Sequence, residues 1–274
     1  MISQTKTELY KISRSIIVLI IMVALIMLNI FIASRSTDEE PIYSSGGFVT
    51  YFEDFQLDTV KKYVNLENSK AETLSDLFWE THPIQFKYVL HRNLGMLFIT
   101  MIFASYYIGM EFKSRSFNNS IYIGKSRNTV FLSKALVYYL AAALVSFLSV
   151  IVAIQFCASR VYELLPVYYV WRCILMYVLF DLGIMSVPLF FVFLFRNPAL
   201  SGIASLLYSA IVNIKGPASE GLFSYEPNCL KMLPDIWNQA APQELITKGI
   251  IVPIAFIAVF SALGLISFRK AQLK

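Results

Sequence analysis

Few residues in this chain have the types and spacing that catalysis or metal binding requires. Gly124-Lys125-Ser126 ends like a phosphate-binding loop, but it lacks the upstream glycine and the preceding buried strand. His82 and His91 lie on either side of Pro83 without a matching pattern of cysteine or carboxylate ligands, which argues against a metal site. His-Glu-x-x-His and Gly-x-Ser-x-Gly motifs are absent from the sequence. We therefore predict a chain that is not an enzyme, does not hydrolyse ATP and carries no metal or cofactor.

A second group of candidate residues lies in the basic segment 111–134. Phe117 and Ile121 are one helical turn apart, Gly124 can end a short helix there, and Ser126 can cap the next one. Basic residues rim this predicted helix, namely Lys113, Arg115, Lys125 and Arg127. One interpretation is a turn anchored to lipid headgroups. The other is a helix that docks in a groove of a cytoplasmic partner through the apolar anchors Phe117, Ile121 and Tyr122.

The composition identifies the environment of these residues. Hydrophobic residues make up 57% of the 274 residues and charged residues 15%, with a mean hydropathy of +0.61. These values lie outside the usage of soluble globular proteins. The chain is predicted to be an all-α integral membrane protein with a single membrane domain covering residues 1–274.

The apolar stretches predict six transmembrane helices, since about 20 apolar residues are needed for each crossing. They lie at residues 15–32, 94–110, 135–158, 164–195, 199–214 and 249–268. Pro188 lies inside the fourth stretch and could kink that helix without breaking it. The fifth stretch is short, so part of the following loop could complete it.

The segments between the predicted spans also carry helical patterns. Residues 1–14 place Leu9 and Ile12 on one face, which suggests an interfacial helix or a basic topogenic flank. The loop 33–93 is predicted to form short amphipathic helices. The proline-containing connection 215–248 fits a semi-buried extracellular cap or a re-entrant element.

The distribution of Lys and Arg predicts that both termini are cytoplasmic in a multi-pass protein of the cell membrane. In that orientation the cytoplasmic segments hold 12 basic and 2 acidic residues, whereas the loop 33–93 holds 6 basic and 10 acidic residues. The net charge of +5 then follows from topology, and nucleic acid is not an expected partner.

Polar residues inside the predicted spans are further candidates, because charges at membrane depth are costly and usually face a partner or a wet cavity. Asp181 and Asn213 could line a translocation path or form a polar contact between helices or subunits. Arg172 is closer to a helix end and can reach the interface. We expect three unpaired thiols, although a disulfide between Cys157 and Cys229 is an alternative.

The sequence resembles the permease subunits of type 2 ABC exporters, particularly the small Gram-positive kind linked to peptide antibiotic export or immunity. The resemblance rests on Gly109-x-Glu111, on the run from Arg115 to Arg127, and on Lys134 at the start of the third span. It implies that segment 111–134 is the coupling segment that contacts an ATPase. The docking residues would be Glu111, Arg115, Phe117, Ile121, Ser126, Arg127 and Lys134.

The resemblance also implies partners and a mechanism. Two copies of a separate ATPase subunit would bind ATP and Mg²⁺, and a second permease copy or a paralogue would complete the transporter in the bilayer. Alternating access would move an amphiphilic or peptide-like substrate outward. The alternative is a membrane-embedded sensor or immunity scaffold that binds an external peptide without transporting it.

Overall fold

The computed structural model describes residues 2–14, 56–63, 67–80, 103–157, 161–215 and 224–270, together with positions 20, 23, 24, 27, 54, 86 and 90. Within these ranges the ordered elements are helices, and no strand occurs among them. The predicted all-α class is confirmed for this part of the chain.

The helices vary widely in length. In chain order they are α1 (Ile2–Arg14), α2 (Leu57–Tyr63), α3 (Leu74–Glu80), α4 (Gly109–Lys113), α5 (Ser116–Tyr122), α6 (Arg127–Cys157), α7 (Val161–Leu164), α8 (Val167–Phe195), α9 (Pro198–Lys215), α10 (Pro227–Lys231) and α11 (Gln243–Arg269), with a 3₁₀ turn at Pro234–Trp237. Residues 103–107 are also helical and lead into α4.

Three of the described helices, α6, α8 and α11, are long and apolar enough to cross a membrane, and α9 is a shorter apolar helix. The three long helices contain 27 to 31 residues. At 1.5 Å per residue they measure about 40–47 Å, which exceeds the roughly 30 Å hydrocarbon core. These four helices correspond to the predicted third to sixth stretches. Stretches 15–32 and 94–110 fall largely outside the described residues, so the count of six stays a prediction.

Helix α8 lies at the centre of the described bundle, where it packs against α6, α9 and α11. Its sequence is apolar on all sides, as expected for a helix surrounded by other helices. At Gly183 the missing side chain permits close contact with α11, because a Cβ there would lie 3.0 Å from Pro253 Cα. Pro188 lies inside α8 without ending it, as predicted.

Two apolar clusters occupy opposite ends of the bundle. One contains aromatic rings from α5, α6, α8 and the last turn of α11, including Phe117, Phe131 and Phe268. The other contains residues near the start of α8, such as Tyr169, together with Trp237 and Phe86. Segment 111–134 and the end of α11 therefore lie at one end, and the 3₁₀ turn lies at the other.

The loop 33–93 contains helices, as predicted, in its described part. Val60 of α2 and Leu77 of α3 are fully buried. The start of α3 carries a reciprocal cap, in which the Asp76 N–H donates to Thr73 Oγ1 at 3.1 Å and the Thr73 N–H donates to Asp76 Oδ2 at 3.2 Å.

Candidate functional site

Segment 111–134 folds into a short helix between two turns. Arg115 adopts a left-handed conformation (φ 58°) between α4 and α5, and Gly124 (φ 86°) ends the turn after α5. A positive φ favours glycine, which is the residue found at position 124. The Ser126 Oγ accepts a hydrogen bond from the Thr129 N–H at 3.2 Å and so caps the start of α6. The predicted helix, its glycine end and its serine cap are all confirmed.

The orientation of α5 differs from the prediction. Phe117, predicted as a docking anchor, is 1% exposed, and its ring centroid lies 4.4 Å from that of Phe112 and 5.3 Å from that of Phe268. Ile121 is partly buried against the same cluster. The shared face of these two residues points into the bundle, because it meets the aromatic ends of α8 and α11. Phe117 holds the segment in place and is not available at the surface, whereas docking through the partly buried Ile121 stays a prediction.

The exposed apolar residues of the segment lie at its tip. Tyr122 is 84% exposed and Ile123 is 77% exposed. Basic side chains on either side of them, Arg115 and Lys125, are also exposed. The tip (residues 122–125) is therefore an apolar and basic projection mounted on a buried base.

A cluster of four charges lies beneath this segment and includes two of the predicted docking residues. Lys134 Nζ lies 2.5 Å from Glu8 Oε2 and 2.6 Å from Glu111 Oε2. Lys11 Nζ lies 3.1 Å from Glu8 Oε1 and 3.6 Å from Glu111 Oε1. The Tyr107 hydroxyl donates to Glu8 Oε2 at 3.2 Å. We call Glu8, Lys11, Glu111 and Lys134 the charge cluster.

The charge cluster attaches α1 to segment 111–134. Its charges balance, and the side chains of Glu8 and Lys134 are 4% and 2% exposed. Burial raises the pKa of Glu8, but the adjacent Lys134 and Lys11 ammonium groups outweigh burial and lower it below its usual value. Lys134 is thus enclosed by this chain, which corrects its prediction as a surface docking residue. Glu111 is likewise occupied by intrachain pairs.

Arg127 also acts within the chain. Its guanidinium donates to the carbonyl oxygen of Arg269 at 2.7 Å and to that of Phe268 at 3.5 Å, while Arg196 donates to the carbonyl of Ser267 at 3.5 Å. The last carbonyls of a helix lack intrahelical donors, so these arginines satisfy the end of α11. Arg127 and Ser126 were predicted to dock a partner, whereas their observed contacts join and cap helices.

Asp181 has a partner inside the chain. Its Oδ1 lies 2.6 Å from Lys231 Nζ, and its Oδ2 accepts a hydrogen bond from Ser146 Oγ at 2.5 Å. Asp181 and Lys231 are 3% and 2% exposed. Asp181 therefore makes a polar contact between helices of this chain, and its predicted roles in a translocation path or between subunits stay predictions. The side chain of Asn213 lies outside the described part of the chain.

Sequence reasoning missed Lys231, because it belongs to a polar connection whose residues gave no sign of reaching α8. The structure buries all of α10, from Pro227 to Lys231, against the bundle. The Lys231 ammonium also lies 3.7 Å from the Tyr177 ring centroid. The connection 215–248 thus contains a buried element in its described part, which fits both a semi-buried cap and a re-entrant element.

Cys173 and Cys229 are buried cysteines without a disulfide. The side chain of Cys157 lies outside the described residues, as do His82 and His91. In the part of the chain that the structure describes, no group of three or more His, Cys, Asp or Glu side chains could hold a metal ion.

The long apolar helices agree with a comparison at the level of families. A model of the ABC-2 family transporter proteins matches residues 5–212, which is most of the chain. This chain belongs to the ABC-2 family. It is a membrane protein of the permease type, and an ATPase partner is implied for ABC-2 permeases in general. No curated protein matches the sequence.

Proposed function

We propose that this ABC-2 protein is the permease subunit of an exporter that moves an amphiphilic or peptide-like substrate outward across the cell membrane. Two ATPase subunits would bind ATP and Mg²⁺ and drive alternating access in a pair of permeases, formed by two copies or by this chain and a paralogue. The resemblance to small Gram-positive permeases favours a peptide antibiotic as the substrate. Both termini would be cytoplasmic.

The exposed tip is the observation that carries this proposal. Tyr122 and Ile123 are exposed, although the base of the same segment is buried through Phe117 and Lys134. An aromatic residue next to an aliphatic one, with basic neighbours, suits a pocket with an acidic rim on a partner protein. Because the base is fixed to α6 and α11, a force on the tip would be transmitted to the long helices.

The test is co-purification of the chain with its ATPase from the native membrane. The double substitution Tyr122→Ala with Ile123→Ala should reduce the amount of bound ATPase roughly 10- to 100-fold, since residues at the centre of an interface carry most of its binding energy. Transport-linked stimulation of ATP hydrolysis should fall in parallel.

Tyr168→Ala is the matched control, because Tyr168 is 68% exposed at the opposite end of the bundle. It should retain the ATPase. Equal retention by the tip variant and the control would refute docking at the tip. A sensor or scaffold without transport would instead keep its function in the tip variant and lose it on deletion of residues 33–93.

A further inference from the structure

A buried insert lies along one half of α8. Residues 226–238, hereafter the insert, contain α10 and the 3₁₀ turn, and α10 is buried throughout. Asp181, which binds Lys231 of the insert, is the fifteenth of the 29 residues of α8. At 1.5 Å per residue the pair lies about 21 Å from either end of that helix. The insert therefore extends to the middle of the bundle.

Polar contacts fix the insert along this half of α8. At the outer end Arg172 donates to the Asn238 carbonyl at 2.7 Å. The Tyr169 hydroxyl donates to the Trp237 carbonyl, and the Trp237 indole N–H donates to the Lys231 carbonyl at 2.8 Å. A direct ion pair to Asp181 completes the series at its deep end.

The neighbouring helices hold the start of the insert. The Glu226 carboxylate accepts a hydrogen bond from the Tyr208 hydroxyl of α9 at 2.9 Å and another from the Cys229 N–H at 2.9 Å. Pro227 packs beside Gly183, where a Cβ would lie 3.2 Å from the proline ring. Three helices, α6, α8 and α9, thus contribute polar groups to the insert or to its ion pair.

The energetics of the deep pair favour a switching role. A buried ion pair stabilises a fold no better than apolar residues of the same volume, because both charges must leave water. Its partners gain little by separating in a dry interior, but water can satisfy each of them once the site opens. A pair of this kind specifies one closed arrangement without preventing a hydrated open one.

We propose that the Asp181–Lys231 pair is a latch that holds the insert in the outer half of the permease and separates when the outward path opens. Lys231 and α10 then withdraw from α8, and both charges become hydrated. Substrate leaves through the space that the insert occupies in the closed state. This inference rests on the proposed function for its driving force, whereas the closed latch depends on this chain alone.

Cys229 provides the probe, because it lies in α10 and is 2% exposed. In a Cys157→Ser/Cys173→Ser background, the rate of Cys229 modification by a small maleimide reports exposure of the insert. Asp181→Asn leaves Lys231 buried without its counter-ion, so modification should accelerate roughly tenfold or more. The double variant Asp181→Asn/Lys231→Met should return to the slow rate, since it removes both charges.

Ser186→Ala is the matched control, because Ser186 is buried on α8 and its hydroxyl bonds only to the Gly183 carbonyl of the same helix among the contacts described. It should leave Cys229 protected. Lys231→Met removes the cation of the same ion pair and leaves Asp181 without its counter-ion. It therefore replaces Asp181→Asn if that variant fails to fold. Unchanged protection of Cys229 in a folded single variant would overturn the latch.

The second arm uses the complex with the ATPase trapped by ATP and vanadate. Faster modification of Cys229 in the trapped complex than in the nucleotide-free complex would support opening of the insert. Equal rates in a complex that hydrolyses ATP would overturn it. If no ATPase co-purifies, the proposed function fails, and the single and double variants still decide whether the pair holds the insert.

Discussion

Lys134 joins three parts of the chain that are far apart in sequence. Its ammonium group contacts Glu8 of α1 and Glu111 of α4 while the residue itself lies in α6. Since both contacts are short and the side chain is buried, Lys134 positions α1 against the base of the tip. A residue that the family resemblance assigns to a docking surface thus organises the interior beneath that surface.

Lys134→Met tests this role. The change keeps most of the side-chain volume but leaves Glu8 buried without its closest cation, so we expect a loss of about 3–5 kcal/mol in the free energy of unfolding. Thermal unfolding in detergent measures it. Lys125→Met, on the exposed tip, should change the unfolding temperature little. A similar small change in both variants would contradict a structural role for the charge cluster.

The spacing of Phe117 and Ile121 shows how far sequence reasoning reaches for single residues. A separation of four residues places them on one helical face, and the structure confirms that shared face. The spacing alone does not show which way this face points, because an apolar face suits a groove on a partner and the chain's own core equally. The aromatic residues that decide the matter, Phe193 and Phe268, are 76 and 151 residues after Phe117.

At the scale of elements, the crossing of α8 and α11 includes a close contact at Gly183. The Gly183 position meets backbone as well as side-chain atoms of Pro253, so the two helices cannot accommodate a Cβ without moving apart. Close approach of this kind maximises van der Waals contact between helices in a membrane.

Gly183→Ala should therefore destabilise the protein by about 1–3 kcal/mol, the usual cost of overpacking a core. Gly202→Ala is the matched control, since a Cβ at Gly202 of α9 would lie 3.6 Å from the Ser105 hydroxyl, an ordinary contact distance. It should be neutral or slightly stabilising, because alanine favours helix more than glycine does. Equal unfolding temperatures for the two variants would contradict a tight crossing.

The elements themselves were largely predictable where they are long and apolar. Helices α8 and α9 match their predicted stretches closely, whereas α6 and α11 begin eight and six residues before theirs, in polar turns that hydropathy alone does not mark. The burial of α10 does not follow from the sequence, because five residues that include a lysine carry too little periodicity to reveal their depth. The pairing of Lys231 with Asp181 depends on tertiary contacts that single-sequence patterns do not encode.

At the scale of the whole molecule, the described ends of the chain lie on one side of the bundle. Helix α1 contacts the start of α6 through the charge cluster, and the end of α11 contacts Arg127 of the same helix. The start of α8 and the insert lie on the opposite side. The cytoplasmic location of both termini stays a prediction, because two ends on one side of the bundle fit either orientation in the membrane.

Cysteine labelling tests the orientation in whole cells. In a cysteine-free background, Lys6→Cys and Lys270→Cys should react with an impermeant maleimide only after the membrane is permeabilised, because basic segments remain on the cytoplasmic side. Tyr168→Cys should react without permeabilisation. All three positions are exposed. Labelling of Lys270→Cys in intact cells would contradict a cytoplasmic C-terminus.

The charge cluster also determines the order in which parts of the chain can assemble during synthesis. Glu8 is synthesised 126 residues before Lys134. At about 5–20 residues per second the ribosome needs roughly 6–25 s to make that stretch. During this interval Lys11 is the one cation of the charge cluster already on the nascent chain. Burial of Glu8 in the charge cluster must therefore wait until the first turns of α6 have been made.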